Sequence, residues 1–342
     1  MAHLANPWIL ARLVLGVLAT LLSVAAGVGA VRILLRYRAE DAPDERTLEL
    51  ERQSELIGTV LSVAFTLEIF AAVFTVIASD RLSGSIRGAM CAFGVFGSNP
   101  WGARALAGSI AGASACAAWL GTRSIDSRLR RGSLVRSLAG LALLVSACVA
   151  ADTWASVRYF FGLDLDVVAT CCSVFVDSTS ANGGVIGHAG ERYLELAIAG
   201  GAATLAVIAG VLLARKASAP RGVITSILGV AGGAFALRAV TDVIAPYVYE
   251  TPNHQCPYCL LHGEAAPAGP LLLAGIAVAF LTGVATLAVL PQMRRAGAQN
   301  AAREVLERLG RMQAIAWTVV LVAGAYPVLR YGVVAGTWQL FR

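Results

Sequence analysis

Two cysteines and two histidines lie within nine residues of the sequence, in the order His254, Cys256, Cys259 and His262. Two thiols separated by two residues can be oxidised to a disulfide and reduced again, which is the chemistry of thiol-disulfide exchange. Thiolates and imidazoles are also ligands that bind zinc and copper(I). In an oxidising compartment the same thiols can instead form a permanent disulfide that holds a loop. The stretch therefore predicts a redox dithiol, a metal site or a structural bridge.

A metal site here would hold copper or zinc, and His188, in an earlier loop, is a further candidate ligand. Zinc ligands usually come as two separated pairs, so tetrahedral closure by four ligands from one short segment is disfavoured. Thioether ligands favour copper(I), yet the chain has only four Met. Leu260 follows Cys259 where a haem c attachment motif requires histidine, so no haem of that type is expected.

Pro257 indicates that a short helix begins directly after Cys256, because proline favours the first position of a helix. Backbone N–H groups at a helix N-terminus stabilise a thiolate. Cys256 is therefore predicted to be the attacking thiol, and Cys259, one turn later, the thiol that resolves the mixed disulfide. The prolines within residues 266–270 predict that this helix ends before the next long apolar segment.

The chain is far more apolar than a soluble domain. Hydrophobic residues make up 57% and charged residues 14% of its 342 residues, whereas a soluble domain carries about 25% charged residues. A membrane-spanning helix needs roughly 20 apolar residues. The sequence therefore predicts an all-α, polytopic transmembrane bundle that forms a single integral membrane domain over residues 1–342. Eight spans are expected, at residues 8–35, 57–78, 103–121, 137–161, 193–213, 223–243, 270–290 and 313–335.

Basic residues are concentrated in alternate loops between these spans, and residues 246–269, which contain the dithiol, include no Lys or Arg. By the positive-inside rule the basic loops are cytoplasmic. The dithiol and both termini are then extracytoplasmic in a bacterial-type inner membrane, and nucleic acid is not an expected partner. Acidic and basic residues at 45–55 predict a solvated helical extension before the second span. The basic residues are Arg123, Arg128, Arg130, Arg131 and Arg136; Arg215, Lys216 and Arg221; and Arg294, Arg295, Arg303, Arg308 and Arg311.

Five of the seven cysteines fall in the predicted outer loops: Cys91, Cys171, Cys172, Cys256 and Cys259. Adjacent cysteines can bond to each other only through a strained ring. One of Cys171 and Cys172 is therefore expected either to exchange with the dithiol or to bridge to another loop. Cys91 lies in an apolar stretch interrupted by Gly and Asn-Pro, which predicts an interfacial or re-entrant loop. It is a further relay thiol or the mate of one of the adjacent pair.

The Cys256-Pro257-Tyr258-Cys259 tetrapeptide resembles the active dithiol of glutaredoxins, but the chain lacks the βαβ pattern of that soluble fold. A dithiol at a membrane surface also looks like the bacterial disulfide-bond-forming membrane oxidoreductases and the vitamin K epoxide reductases. This resemblance is limited to the dithiol. It implies electron transfer between thiols and a membrane quinone, with a periplasmic thioredoxin-like protein as partner. The chain departs from those families in its eight spans, where they have a four-helix core, and in its adjacent loop cysteines.

Four ionisable residues fall inside the predicted spans: Glu68, Asp152, Arg238 and Asp242. Such residues are candidates for function because charge within the membrane is costly. Arg238 and Asp242 lie four residues apart and are expected to pair. Glu68 and Asp152 have no partner within their own spans, so they are predicted to relay protons or to line a pathway.

Three functional hypotheses follow from these patterns. The first is a thiol-disulfide oxidoreductase or electron conduit in the lipid bilayer. The second is a permease-like transporter, or a protein that handles copper or zinc at an outer Cys/His site. The third is a structural subunit that associates with other membrane subunits and whose disulfides only hold its loops.

Overall fold

A computed structural model of the protein describes residues 2–37, 45–89, 91–129, 134–167, 189–250, 256–295 and 297–340. This described part of the chain is helical and contains no strand. Short 3-10 turns connect several of the α-helices. The α-helices are α1 Pro7–Arg36, α2 Glu45–Leu82, α3 Ala92–Gly97, α4 Gly102–Asp126, α5 Val135–Phe161, α6 Ala189–Arg215, α7 Ala219–Ala239, α8 Ala245–Tyr249, α9 Ala268–Val289 and α10 Gln299–Ala335.

The described residues include eight helical stretches that are long and apolar enough to cross a membrane. The predicted fold class is therefore confirmed, and the predicted extension before the second span is confirmed by the start of α2 at Glu45. The predicted extent of the loop between the seventh and eighth spans is wrong in part. Arg303, Arg308 and Arg311 belong to α10, because residues with good helix propensity and alternating charge continue a helix beyond its apolar part. The orientation in the membrane stays a prediction.

The chain divides into two compact units. The first unit comprises Met1–Ala169 with Ala288–Val305, and the second comprises Thr170–Leu287 with Leu306–Arg342. The expectation of a single integral membrane domain stays a prediction.

In the first unit, α1 packs against α2 and α5, and α4 packs against α5. The stretch that contains Cys91 is not an open loop: Cys91 precedes the short helix α3, which buries Val95 and Phe96. The ring of Phe96 stacks on Tyr159, with centroids 5.4 Å apart. Asn99 anchors the segment by donating a 2.6 Å hydrogen bond to the carbonyl of Gly162. Its predicted position at the membrane interface stays a prediction.

In the second unit, α7 continues through a π-helical turn, Val240–Ile244, into α8. Small residues let α7 and α9 approach closely, as is common between membrane helices. Ser226 on α7 donates a 2.7 Å hydrogen bond to the carbonyl of Gly283 on α9. The core of this unit includes Val240, Ile244, Leu260, Leu272, Ile276 and Trp317.

Replacing Gly229 with alanine is expected to lower the thermal unfolding temperature of the purified protein. A Cβ atom at Gly229 would lie 2.8 Å from the Cα of Gly283 and 2.9 Å from the carbonyl oxygen of Ala279. Overpacking of this kind typically costs about 1–3 kcal/mol. Gly201→Ala is the matched control, since a Cβ there meets nothing within 4 Å. Equal unfolding temperatures for the two variants would contradict the close approach of α7 and α9.

Candidate functional site

The dithiol lies in the segment that joins α8 to α9. The Sγ atoms of Cys256 and Cys259 lie within 4.8 Å of each other. The backbone N–H of Cys259 donates to Cys256 Sγ at 3.4 Å. Both side chains are buried, with 0% and 6% of their surface exposed. A side chain that accepts the N–H three residues later resembles a helix N-cap, although the helical turn that follows begins only at Cys259.

The backbone after this cap differs from the prediction. In place of one short α-helix, the segment forms two 3-10 turns, Cys259–Leu261 and Gly263–Ala265. His262 separates them in an extended conformation, with φ −80° and ψ 161°. The residue before a proline is disfavoured in the α conformation, and Pro267 follows Ala266 directly. The segment therefore ends before an α-helix can develop.

Contacts on either side of the dithiol hold this segment in place. The hydroxyl of Tyr249 donates a 2.6 Å hydrogen bond to the carbonyl oxygen of Cys259. Leu260 is fully buried in the core of the second unit. Gly269 lies so close to this turn that a Cβ there would be 2.0 Å from the Leu260 carbonyl oxygen. The two sulfur atoms are thus carried by a turn whose backbone is fixed by α8, α9 and the core.

Cys256 and Cys259 make different contacts with the backbone and with neighbouring side chains. Cys256 Sγ receives a backbone N–H, and hydrogen bonds to a charged acceptor are stronger than those between neutral groups. This contact favours negative charge on Cys256, whereas burial of the thiol opposes it. The backbone of Cys259 donates to Cys256 Sγ and accepts from the hydroxyl of Tyr249. Because both sulfurs are shielded, exchange with another protein requires the segment to open.

The structure describes only some of the remaining cysteines and histidines of the predicted site. His188, His254, Cys171 and Cys172 lie outside the described residues. Among the residues that are described, His262 does not join both thiols in a group close enough to hold one metal ion. The metal site stays a prediction.

Three further cysteines belong to the first unit. Cys91 is buried at the start of α3, and its predicted role as a relay thiol stays a prediction. Cys116 is buried in α4 and Cys148 lies half-buried in α5, as expected for cysteines that pack as small apolar side chains.

An apolar cavity of about 230 Å³ lies within the second unit. Its walls come from α6, α7 with the π-helical turn, α9 and α10, and they carry only Ala, Gly, Val, Leu and Ile side chains. Val240, Ile244 and Leu272 line the cavity and also pack in the same core as Leu260, which follows Cys259. One hydrophobic cluster therefore connects the dithiol segment to the cavity.

A second, smaller cavity of about 40 Å³ has polar walls. Tyr247, Tyr326 and Arg330 line it, together with Ala265 and Ala266 from the segment after the dithiol. The α10 residues of this cavity directly neighbour in sequence those of the apolar cavity. Aromatic hydroxyl and guanidinium groups are thus available next to the apolar site.

The predicted ion pair in the sixth span is present. Arg238 Nε lies 3.2 Å from Asp242 Oδ2, and Arg238 also lies 3.6 Å from Glu195 on α6. The Arg238 side chain is 69% exposed. These charges form a network at the surface of the second unit, and their predicted part in proton transfer stays a prediction.

Asp152 has a partner that its own span did not reveal. Arg12 on α1 forms an ion pair with Asp152 on α5, and both side chains are fully buried. Arg12 also donates to the hydroxyls of Thr75 and Ser156, while Ser109 donates a 2.7 Å hydrogen bond to Asp152 Oδ1. The signal that could have revealed this pair is Arg12 itself, because an arginine within an apolar span requires a buried acceptor.

Glu68 on α2 faces the same buried cluster. Its side chain is fully buried, and it is close enough to Asp152 for the two carboxyl groups to interact. The two carboxyl groups lie within hydrogen-bonding reach of each other, and neither oxygen of Glu68 accepts from an N–H or O–H donor of the described residues. Gly112 leaves room for this side chain, since a Cβ there would lie 2.6 Å from Glu68 Oε1.

Comparison with known proteins returned no match. No protein-family model matches the chain, no curated protein matches it, and no solved structure matches it. The functional assignment therefore rests on the residues of this chain and the physical chemistry of their arrangement.

Proposed function

We propose that the protein is a membrane thiol-disulfide oxidoreductase that transfers electrons between thiols of an extracytoplasmic protein and a membrane quinone. The observation that carries this proposal is the geometry of the dithiol. Two sulfurs lie within 4.8 Å of each other, and one of them accepts the backbone N–H that stabilises a thiolate. A structural staple needs only the proximity of the two sulfurs, whereas exchange also uses a contact that favours the thiolate.

Exchange proceeds through a mixed disulfide on Cys256. A partner thiolate attacks the sulfur of Cys256 in the oxidised protein, the Cys256–Cys259 bond breaks, and Cys259 leaves as a thiolate that takes up a proton. A second partner thiolate then attacks the partner's own sulfur in the mixed disulfide and releases Cys256. The partner has lost two electrons and two protons and gained a disulfide, while the dithiol has been reduced. In the reverse direction Cys256 attacks a partner disulfide and Cys259 resolves the mixed disulfide.

The apolar cavity next to the dithiol segment supports the proposal of a quinone as the electron acceptor. A bound quinone would supply the acceptor for the two electrons and two protons that Cys256 and Cys259 lose when their disulfide re-forms. An apolar cavity of about 230 Å³ suits an apolar ring or part of an isoprenoid tail, although its walls offer no side-chain hydrogen-bond donor. Tyr326 and Arg330 in the neighbouring polar cavity could donate to the ring oxygens, whereas the hydroxyl of Tyr247 donates to the Trp338 carbonyl. The residues present are therefore compatible with a quinone.

A redox titration of the purified protein is expected to find a dithiol that is oxidised and reduced reversibly at a potential between about −300 and −120 mV, the range of exchange-active dithiols. Alkylation of the reduced thiols followed by mass spectrometry assigns the titration to Cys256 and Cys259. Cys116→Ser should leave the potential unchanged, because Cys116 lies in α4 of the first unit. A bridge that resists reduction below about −300 mV would identify a structural staple.

The metal hypothesis is tested on the same preparations. Stoichiometric zinc or copper that is lost in His254→Ala and His262→Ala variants would favour a metal-handling protein over a redox enzyme. Metal-free protein with a reversible dithiol supports the oxidoreductase.

A further inference from the structure

The buried charges of the first unit do not balance. Arg12 supplies one positive charge, whereas Asp152 and Glu68 together supply two carboxyl groups, and all three side chains are fully buried. A buried charge is costly unless it is paired and hydrogen-bonded. Asp152 satisfies this condition through Arg12 and Ser109. One carboxyl group remains for which the site holds no second cation among the described residues.

Glu68 is that second carboxyl group, and its carboxyl lies within hydrogen-bonding reach of the Asp152 carboxyl. Neither oxygen of Glu68 accepts from an N–H or O–H donor of the described residues, and the Nη1 atom of Arg12 is buried without an acceptor among them. Arg12 uses its other nitrogens to reach Asp152, Thr75 and Ser156. Arg12 Nη1 is therefore a donor without an acceptor, and the two oxygens of Glu68 are acceptors without an N–H or O–H donor.

Glycines shape the space around both side chains. A Cβ at Gly16 would lie 2.3 Å from Arg12 Nη1, and a Cβ at Gly112 would lie 2.6 Å from Glu68 Oε1. The absence of a side chain at each glycine thus provides the room that Arg12 Nη1 and Glu68 Oε1 occupy.

We propose that Glu68 binds an exchangeable proton and that Arg12 is shared between Asp152 and Glu68 according to whether that proton is present. With the proton bound, Glu68 is neutral and Arg12 pairs with Asp152 alone. When the proton leaves, Glu68 becomes a second carboxylate and accepts a hydrogen bond from Arg12 Nη1. The first unit then contains a proton-linked switch. This switch is separate from the proposed oxidoreductase activity and does not depend on the dithiol, which belongs to the second unit.

The groups that face Glu68 can be named for each helix packed against α2. Arg12 faces it from α1, and Asp152 and Cys148 from α5. Cys116 faces it from α4, and α3 carries no ionisable side chain. Arg12 is the one cation among these groups, so no other described neighbour neutralises Glu68 when its proton leaves.

Hydroxyl groups continue from this site along α2 and offer a route for proton exchange. Thr75, which accepts from Arg12, lies two turns after Glu68, and Ser79 lies one turn further on the same side. Ser79 is hydrogen-bonded to the hydroxyl of Tyr159 on α5 at 3.0 Å. The polar path therefore runs from the buried charges toward the end of α2 that follows Ser79.

Infrared spectroscopy of the full chain in phosphatidylcholine vesicles tests the proposal. The C=O stretch of a protonated carboxylic acid is expected in the wild-type spectrum, to shift in D₂O, and to disappear reversibly as the pH is raised. Glu68→Gln should abolish this band. The matched control Glu195→Gln should retain it, because Glu195 lies beside Arg238 in a partly exposed network. The carboxylate band of Asp152 should shift as Glu68 titrates and should not shift in Glu68→Gln.

Four outcomes would overturn the proposal. They are a band that persists in Glu68→Gln, no band at any pH, a band that neither exchanges with D₂O nor titrates, and a band that Na⁺ removes at constant pH. The last would show that a metal cation occupies the site instead of a proton. If Glu68→Gln does not fold, selective ¹³C labelling of glutamate in the wild-type chain replaces it. The band must then move with the label, and a band that stays in place overturns the assignment.

Discussion

Cys256→Ala is expected to reduce the rate of thiol-disulfide exchange to the uncatalysed level. The variant lacks the sulfur that accepts the backbone N–H of Cys259, and the thiolate is the species that attacks or is attacked in exchange. The measurement is the oxidation of a reduced thioredoxin-like protein with a soluble quinone as electron acceptor, followed by the absorbance of the quinone. Cys259→Ala should also stop turnover, but for a different reason.

Without Cys259 the mixed disulfide on Cys256 cannot be resolved within the protein. Cys259→Ala mixed with an oxidised partner should therefore accumulate a covalent complex, visible on a non-reducing gel, whereas Cys256→Ala should not. Cys116→Ala is the control, since its thiol lies in α4 of the first unit. A covalent complex formed by Cys256→Ala but not by Cys259→Ala would reverse the two roles. The same assay on Cys91, Cys171 and Cys172 variants measures whether these thiols relay electrons.

The existence of the eight spans could be predicted from the sequence because an apolar run of about 20 residues has few alternatives in a membrane. Their ends were harder to predict. Charged residues before the second span indicate that α2 extends beyond its apolar part to Glu45, but α10 begins at Gln299, in residues that the sequence predicts as a loop. Charged residues three and four positions apart support a helix as well as apolar ones do, so hydropathy marks the part of a helix inside the membrane and not its length.

A turn after Cys256 could be predicted from the sequence, because Pro257 restricts the local backbone. The type of turn could not, since it depends on contacts from distant residues. Tyr249 binds the Cys259 carbonyl, and Gly269 lets the next helix approach Leu260. The cavity beside this segment is a further feature of packing among four helices, and no periodicity within a single span reveals it.

The buried ion pair could not be predicted from residue spacing within one span. Spacing within one span identifies partners such as Arg238 and Asp242, which lie one turn apart. Arg12 and Asp152 are 140 residues apart in sequence, and only the packing of α1 against α5 brings them together. A lone Arg in an apolar span indicates that a partner exists without indicating where it lies.

Arg12→Met is expected to destabilise the protein strongly, by about 3–5 kcal/mol, because it leaves buried carboxyl groups without their cation. Arg238→Met is the control and should change stability by about 0–1 kcal/mol, since its side chain is 69% exposed. The measurement is thermal or denaturant unfolding in one detergent, with loss of helical signal as the readout.

The double variant Arg12→Met/Asp152→Asn separates charge from packing. Asparagine keeps the shape of Asp152 and can still accept the hydrogen bond from Ser109, while the unpaired charge is removed. Replacing both members of a buried pair with neutral groups often restores stability, so the double variant should recover most of what Arg12→Met loses. If both variants were equally unstable, Arg12 would contribute chiefly by filling space between α1 and α5. In that case the charges of the first unit would contribute little to its stability.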